Sequence, residues 1–189
     1  MPDAIVLLKT DHKDVEKLFK QFEKLGDGAK KTKREVVDKI IEALSTHAAI
    51  EEQHFYPTVR EKAPDIDDDV LEGLEEHHIV KWTLSELEGL SPEAERFDAK
   101  VKVLIESVRH HVEEEEGEMF PKVREAMGRK ELQALGETME KAKAISPKSP
   151  HPKAPDTPPG NLIAGPTAAA MDGTKAVAKK GVRKAFRRG

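Results

Sequence analysis

Cysteine is missing from all 189 residues. Its absence excludes disulfide scaffolds, zinc ribbons, iron–sulfur clusters and thiol catalysis, and leaves His, carboxylate or phenolate to hold any metal. Aromatic residues make up only 4% of the chain, with one Trp and one Tyr, beside 37% hydrophobic and 36% charged residues. That is enough apolar material for one modest core if the polar remainder stays outside. No stretch approaches the roughly 18 consecutive apolar residues of a membrane span. The start, Met1-Pro2-Asp3, lacks the basic flank and apolar run of a secretory signal. A soluble, cytoplasmic protein without a transmembrane segment is expected.

The formal net charge of −4 conceals an asymmetry. Residues 1–140 carry 21 Lys and Arg against 34 Asp and Glu, a balance of −13, whereas residues 141–189 carry 11 against 2, a balance of +9. The second stretch opens with Ser146-Pro147-Lys148-Ser149-Pro150-His151-Pro152 and continues through Pro155, Pro158, Pro159 and Gly160. Proline at this density forbids helix or sheet and favours extended chain. The expected organisation is a helical body over 1–145 and a disordered Pro-rich linker and basic tail over 146–189, with the linker reaching about residue 170.

In the body, apolar residues recur at three- and four-residue intervals, the mark of amphipathic helices. A first helix runs from Asp3 to Leu25 and stops at Gly26-Asp27-Gly28. A second begins near Thr32 and runs to about Tyr56, where Pro57 kinks or ends it. A third follows Pro64-Asp65 and reaches Gly89. Ser91-Pro92-Glu93 reads as N-cap, first-turn proline and first-turn acid of a fourth helix that meets Pro121. A shorter fifth helix, about Lys130 to Lys143, covers one end. No strand pattern competes.

The second and fourth helices match at an offset of 64. Val37, Ile40, Ile41, Leu44, His47, Glu51 and Pro57 fall on Val101, Leu104, Ile105, Val108, His111, Glu115 and Pro121. The first and third match at an offset of 65, with His12, Val15, Phe19 and Phe22 on His77, Val80, Leu84 and Leu87. Two similar helical hairpins predict an all-α, up-and-down antiparallel four-helix bundle with an approximate two-fold axis and equivalent ligand sets near it.

Residues four apart share a helix face, so His47 with Glu51 and His111 with Glu115 each aim an imidazole and a carboxylate together. Both pairs continue apolar rows and should point inward, as should His12 and His77. Burying two carboxylates uncompensated would cost several kcal/mol each, and cations supply the missing charge. Six N/O donors from four helices suit two ions bridged by Glu51, Glu115 and an oxygen species. Iron is favoured, with manganese or zinc as alternatives. A set of hydrogen-bonded core histidines without metal is the competing reading. His78 and His110 lie roughly 100° around their helices from the proposed ligands and suit the surface or an outer layer. His54, Glu52 and Glu116 are assigned outer or solvated roles, and the run Glu113 to Glu116 is mostly a solvated face. Tyr56 is the only tyrosine and is matched by Phe120 in the other repeat. That asymmetry suits either a phenolate ligand to one ion or a ring packed at the bundle end.

These residues resemble the hemerythrin-like, or HHE cation-binding, proteins. The resemblance lies in His12 of KTDHKDVEKLF, His47 and Glu51 of HAAIEEQHFYP, His77 of EEHHIV, and His111 and Glu115 of HVEEEEGEMFP, and it covers roughly residues 3–127. It implies a four-helix bundle with two non-heme iron ions joined by an oxo or hydroxo bridge, the quoted residues matching the family's ligand pattern. Oxygen-carrying hemerythrins resemble this chain except that a second histidine stands where Lys81 is here. The order His, HxxxE, His, HxxxE looks like the actinobacterial hemerythrin-like subgroup. Peroxide decomposition, nitric oxide handling or redox sensing are then the implied roles.

Three functions compete. One is turnover of a small oxidant, hydrogen peroxide foremost, with catalase-like chemistry. Another is non-enzymatic binding, sensing or storage of iron, oxygen or nitric oxide. The third rests on the tail, where Lys175, Lys179, Lys180, Arg183, Lys184, Arg187 and Arg188 surround Val177, Val182 and Phe186, a stretch able to contact nucleic acid or an anionic membrane surface, although a flexible solubilising tail, or one folded back on the acidic body, is the favoured reading of it.

Overall fold

A computed structural model describes residues 2–161 and 167–172. The first helix, α1 (Ala4–Glu23), begins where Asp3 caps it, accepting from the Val6 amide at 2.9 Å. The Gly26-Asp27-Gly28 break is too short for anything but an antiparallel return into α2 (Lys30–Ile50). A single π-helical turn (Glu51–Phe55) then leads into α3 (Tyr56–Lys62), and a 3-10 turn (Pro64–Ile66) leads into α4 (Asp67–Gly89). The second hairpin repeats the plan: α5 (Phe97–Glu114), a π turn (Glu115–Met119) and α6 (Phe120–Ala126). Finally α7 (Arg129–Lys143) packs across the bundle end against α1. The expected all-α bundle is the fold observed, and among the described residues there is no strand and no helix long and apolar enough to cross a membrane.

Two local expectations are corrected. Pro57 and Pro121 do not end their helices, because each sits at the start of a further helical segment. Proline cannot donate to the carbonyl four residues back and its ring crowds that carbonyl. The wide π turn just upstream accommodates both problems, and such turns frequently mark functional positions. The fourth helix starts later than the Ser91-Pro92-Glu93 signal suggests. Ala94 donates to the Ser91 carbonyl and Phe97 to the Ala94 carbonyl, each at 3.0 Å, so the segment makes successive turns before α5. Phe97, fully buried, then anchors the helix.

Two apolar layers fill the bundle. One gathers Ile5, Leu8, Ile50, Phe55, Val59, Val70, Phe120 and Val123 with Leu132 and Met139 of α7. The other gathers Phe19, Val37, Ile40, Leu84, Leu87, Val101 and Leu104. Cutting a fully buried side chain such as Leu84 to Ala costs roughly 2–5 kcal/mol. Gly136 lets α7 seat: a Cβ there would lie 2.6 Å from the Pro2 carbonyl oxygen and 2.8 Å from the Ala4 nitrogen. Between the layers lies a polar slab, entered by α1 between Leu8 and Val15 and by α2 between Leu44 and Ile50.

The structure also differs from the expected free linker over 146–161 and 167–172. Thr46 donates to the Pro147 carbonyl at 3.2 Å and Ser149 donates to Glu88 at 2.9 Å. Asp172 accepts from the Lys148 and Ser149 amides at 3.0 Å each. Asn161, 4% exposed, donates to the Glu52 backbone carbonyl at 2.8 Å. Prolines that forbid helix also pre-set φ, so this segment loses little freedom when it lies down on α2 and α4. The basic cluster from Lys175 to Arg188 lies outside the described residues.

Candidate metal centre

The polar slab is built at matched heights on four helices. His12, His47, His77 and His111 are 4–6% exposed, Glu51 is fully buried and Glu115 is 2% exposed. All six predicted donors are thus inside and brought together. His12 Nε2 lies 3.2 Å from His47 Nε2, and His77 Nε2 lies 3.2 Å from His111 Nε2. Each carboxylate reaches both imidazole pairs. Glu51 Oε2 is 3.0 Å from His47 Nε2 and 3.4 Å from His77 Nε2, while Glu115 Oε2 is 3.4 Å from His12 Nε2 and 3.5 Å from His111 Nε2. The donors divide into two groups with ligand atoms within 4.8 Å of one another: His12, His47, Glu51 and Glu115, and then Glu51, His77 and His111. The π turns begin at Glu51 and Glu115 themselves.

The outward ring nitrogens are held by acids in a regular order. Asp11 of α1 lies against His47 of α2, Glu52 after α2 against His77 of α4, Glu76 of α4 against His111 of α5, and Glu116 after α5 against His12 of α1. The Nδ1 distances are 3.1 Å for Glu52, 2.7 Å for Glu76 and 2.9 Å for Glu116. Asp11 stands back at 3.7 Å, drawn away by an ion pair with Lys143 of α7. A carboxylate on the far nitrogen orients the ring so that Nε2 faces inward and, once the ring is neutral, offers its lone pair there, the arrangement of metal-binding imidazoles. Glu52 and Glu116 therefore have a defined role. Asp11 and Glu76 are additions that sequence reasoning missed, although the offset of 65 that pairs His12 with His77 pairs these two acids as well.

The electrostatics show what the protein alone must balance. Burial works against a charged His47, yet the Glu51 carboxylate, with Asp11 and Glu115 behind it, lifts its pKa to about 10. His111 is likewise raised to about 9, against burial, by Glu115, Glu76 and Glu51. Burial opposes ionisation of Glu115, but His111 and His12 hold it well below the usual carboxylate range. Even so, both oxygens of Glu51 and Oε2 of Glu115 make no hydrogen bond. Buried carboxylate oxygens are rarely left so. Four inward imidazole nitrogens around them supply borderline donors that suit iron, manganese or zinc. The residues therefore fit a pair of cations.

Tyr56 belongs to this slab. Its hydroxyl donates to Glu115 Oε1 at 3.0 Å, and its pKa is raised well above the ordinary value, by burial first and then by Glu115 and Glu51. A Cβ on Gly73 would sit 3.0 Å from that hydroxyl, so glycine makes room for it. Lys81 is 8% exposed and donates to both oxygens of Glu52, at 2.8 and 2.9 Å. Its counterpart in the first hairpin is Glu16, whereas Glu116 is held by the half-exposed Lys9 at 3.2 Å. His110 is exposed beside Glu114, His78 accepts from the Trp82 indole at 3.1 Å near the surface, and His54 is half-buried.

Residues 3–123 match the sequence model of the family described as Hemerythrin HHE cation binding domain. An uncharacterized hemerythrin-like protein of Schizosaccharomyces pombe is 24% identical over 163 residues, 86% of this chain and 79% of that protein. A DNA nickase of Nostoc sp. is 28% identical over 138 residues, 73% of this chain but 38% of the nickase, so the chain spans well under half of that relative. Among solved structures, a hemerythrin HHE cation-binding domain-containing protein from Mycobacterium kansasii superposes with a TM-score of 0.63 at 23% identity, covering 76% of this chain and 89% of that one.

Proposed function

Because the chain belongs to the hemerythrin HHE cation-binding family, we propose that it holds two iron ions in the polar slab and uses them to decompose hydrogen peroxide in the cytoplasm. The observation that carries this reading is the spanning of both imidazole pairs by two buried carboxylates whose imidazole-facing oxygens make no hydrogen bond. His12 and His47 would hold one ion and His77 and His111 the other, with Glu51 and Glu115 shared. Grouped by distance, the His77 and His111 set counts Glu51 but not Glu115 and so has one close donor fewer. We assign Tyr56 to it, since a neighbouring cation offsets the burial that keeps the phenol protonated. Two adjacent irons can pass two electrons between one peroxide, which is reduced to water, and another, which is oxidised to dioxygen.

The surrounding residues bind, orient and exclude. Glu52, Glu76 and Glu116 fix the imidazole planes of His77, His111 and His12, and Asp11 places its charge beside His47. The apolar layers above and below keep bulk water from the donors. A cleft that reaches His111 and Glu115 encloses about 50 Å³, room for a few water-sized species. Peroxide, dioxygen, nitric oxide and bare ions are of that size. In this reading the cation-binding unit is residues 1–145.

The test is metal analysis of purified protein together with an oxygen electrode. About two irons per chain and oxygen evolution from peroxide are expected, with His47→Ala and Glu115→Ala abolishing turnover. Tight reversible binding of nitric oxide or dioxygen without turnover would replace catalysis by a binding or sensing role.

A further inference from the structure

The cleft that reaches the centre is lined on its outer part by Asp69, Glu72, Glu76, Glu114 and Glu118, and on its inner part by the buried His111 and Glu115. Lys122, paired with Asp69 at 2.5 Å, is the cation beside this rim. The doubled histidine of the HHVEEEE segment creates two HxxxE pairs one residue apart. His111 and Glu115 face inward, and His110 and Glu114, rotated roughly 100° about the helix axis, face the rim. There the His110 ring, 64% exposed, lies 3.3 Å from Glu114. Together with Glu76 across the cleft, these two bring three ligand atoms within 4.8 Å of one another. Glu76 joins both places, because its Oε2 accepts from His111 Nδ1 at 2.7 Å. Further in, Glu115 Oε2 is buried and makes no hydrogen bond.

We propose that Glu76, His110 and Glu114 form a third, weaker site for a divalent cation at the mouth of this cleft, through which ferrous iron loads the buried pair. One imidazole and two carboxylates with water filling the remaining positions suit a hydrated divalent ion, and partial exposure keeps it exchangeable. Clefts lined by one sign of charge concentrate the opposite sign and raise arrival rates. The ion meets acids of increasing burial until it reaches Glu115, whose Oε2 makes no hydrogen bond. This rests on the buried-pair reading, and the experiment separates the two.

Full-length protein stripped with chelator is titrated with Mn²⁺ while free Mn²⁺ is followed by electron paramagnetic resonance. Ferrous loading is timed separately by anaerobic stopped-flow. Wild type is expected to take two tight ions and a third weaker one. His110→Ala/Glu114→Gln should lose only the third and load at least about fivefold more slowly at low salt, a gap that narrows as salt screens the rim. Glu72→Gln/Glu118→Gln should keep the third ion yet also load more slowly. Retention of the third ion in the first variant, or unchanged loading in either, overturns the proposal. If wild type takes no tight pair at all, the buried-centre reading has failed instead.

Discussion

Glu52 and Glu116 occupy the same place in the two repeats and hold His77 and His12 in the same way, yet their removal should have unequal consequences. Glu52 is 5% exposed and also neutralises the buried Lys81 ammonium through two hydrogen bonds. Glu116 is more open and its other partner, Lys9, reaches water. Removing one member of a buried ion pair costs about 3–5 kcal/mol, because the survivor is left charged and desolvated. In Glu52→Gln the amide oxygen still accepts from Lys81, which places the loss near the lower end, about 3 kcal/mol. In Glu116→Gln the surface pairing is worth at most about 1 kcal/mol. Metal affinity should respond alike in both, falling about 10–100-fold as the supporting acid of one imidazole is lost. Chemical denaturation of chelator-stripped protein reads the first quantity, and competition against a chelator of known affinity reads the second. Adding Lys81→Met to Glu52→Gln should recover stability to within about 1 kcal/mol of wild type without restoring affinity, since His77 still lacks its acid. Equal destabilisation by the two Gln variants, or no recovery in the double variant, would refute the assignment of Lys81 as a charge held by Glu52.

Stripped protein should lose stability as pH rises. Raised pKa values of about 10 for His47 and about 9 for His111 contribute stability that is complete below about 6.5 and lost as pH climbs through those values; Tm measured from pH 7 to 10.5 should fall, and fall less once ions are bound. Loading at pH 7 should release about three protons per chain, two because ligation needs His47 and His111 neutral and one from the Tyr56 phenol, and calorimetry in buffers of different ionisation enthalpy would count them. Tyr56→Phe should remove a broad visible absorption band from the ferric protein while leaving two irons bound; an unchanged spectrum would return Tyr56 to a hydrogen-bonding role. Gly136→Ala should destabilise by roughly 1–3 kcal/mol, because its Cβ meets the Pro2 and Asp3 backbone, and thermal melts would show it; an unchanged Tm would mean that α7 shifts freely.

The bundle and the six inward donors were legible because a repeat supplies its own control: two HxxxE pairs in matching apolar rows say more than either alone. Asp11 and Glu76 were less visible because an acid beside a histidine is common in so acidic a chain, and only the cross-helix register gives it a partner. The π turns were hidden for a different reason. A wide turn changes hydrogen bonding without changing the residue types that face inward, and the prolines six residues beyond read as kinks or ends. Ser91-Pro92-Glu93 has good capping chemistry, but Phe97 sinks into the core and decides where α5 starts. The segment after Ser146 is rich in residues that resist regular structure, and composition alone does not distinguish an extended chain in water from one lying along α2 and α4.

The circuit of acids closes on itself: α1 supports α2, α2 supports α4, α4 supports α5, and α5 returns to α1. Each hairpin contributes half of every shell, so a polypeptide of one hairpin's length associating with its own copy would rebuild the same circuit. What such a homodimer lacks is difference between its halves. With both halves in a single chain, Tyr56 can stand opposite Phe120 and Lys81 opposite Glu16, giving two chemically distinct donor sets in place of twins.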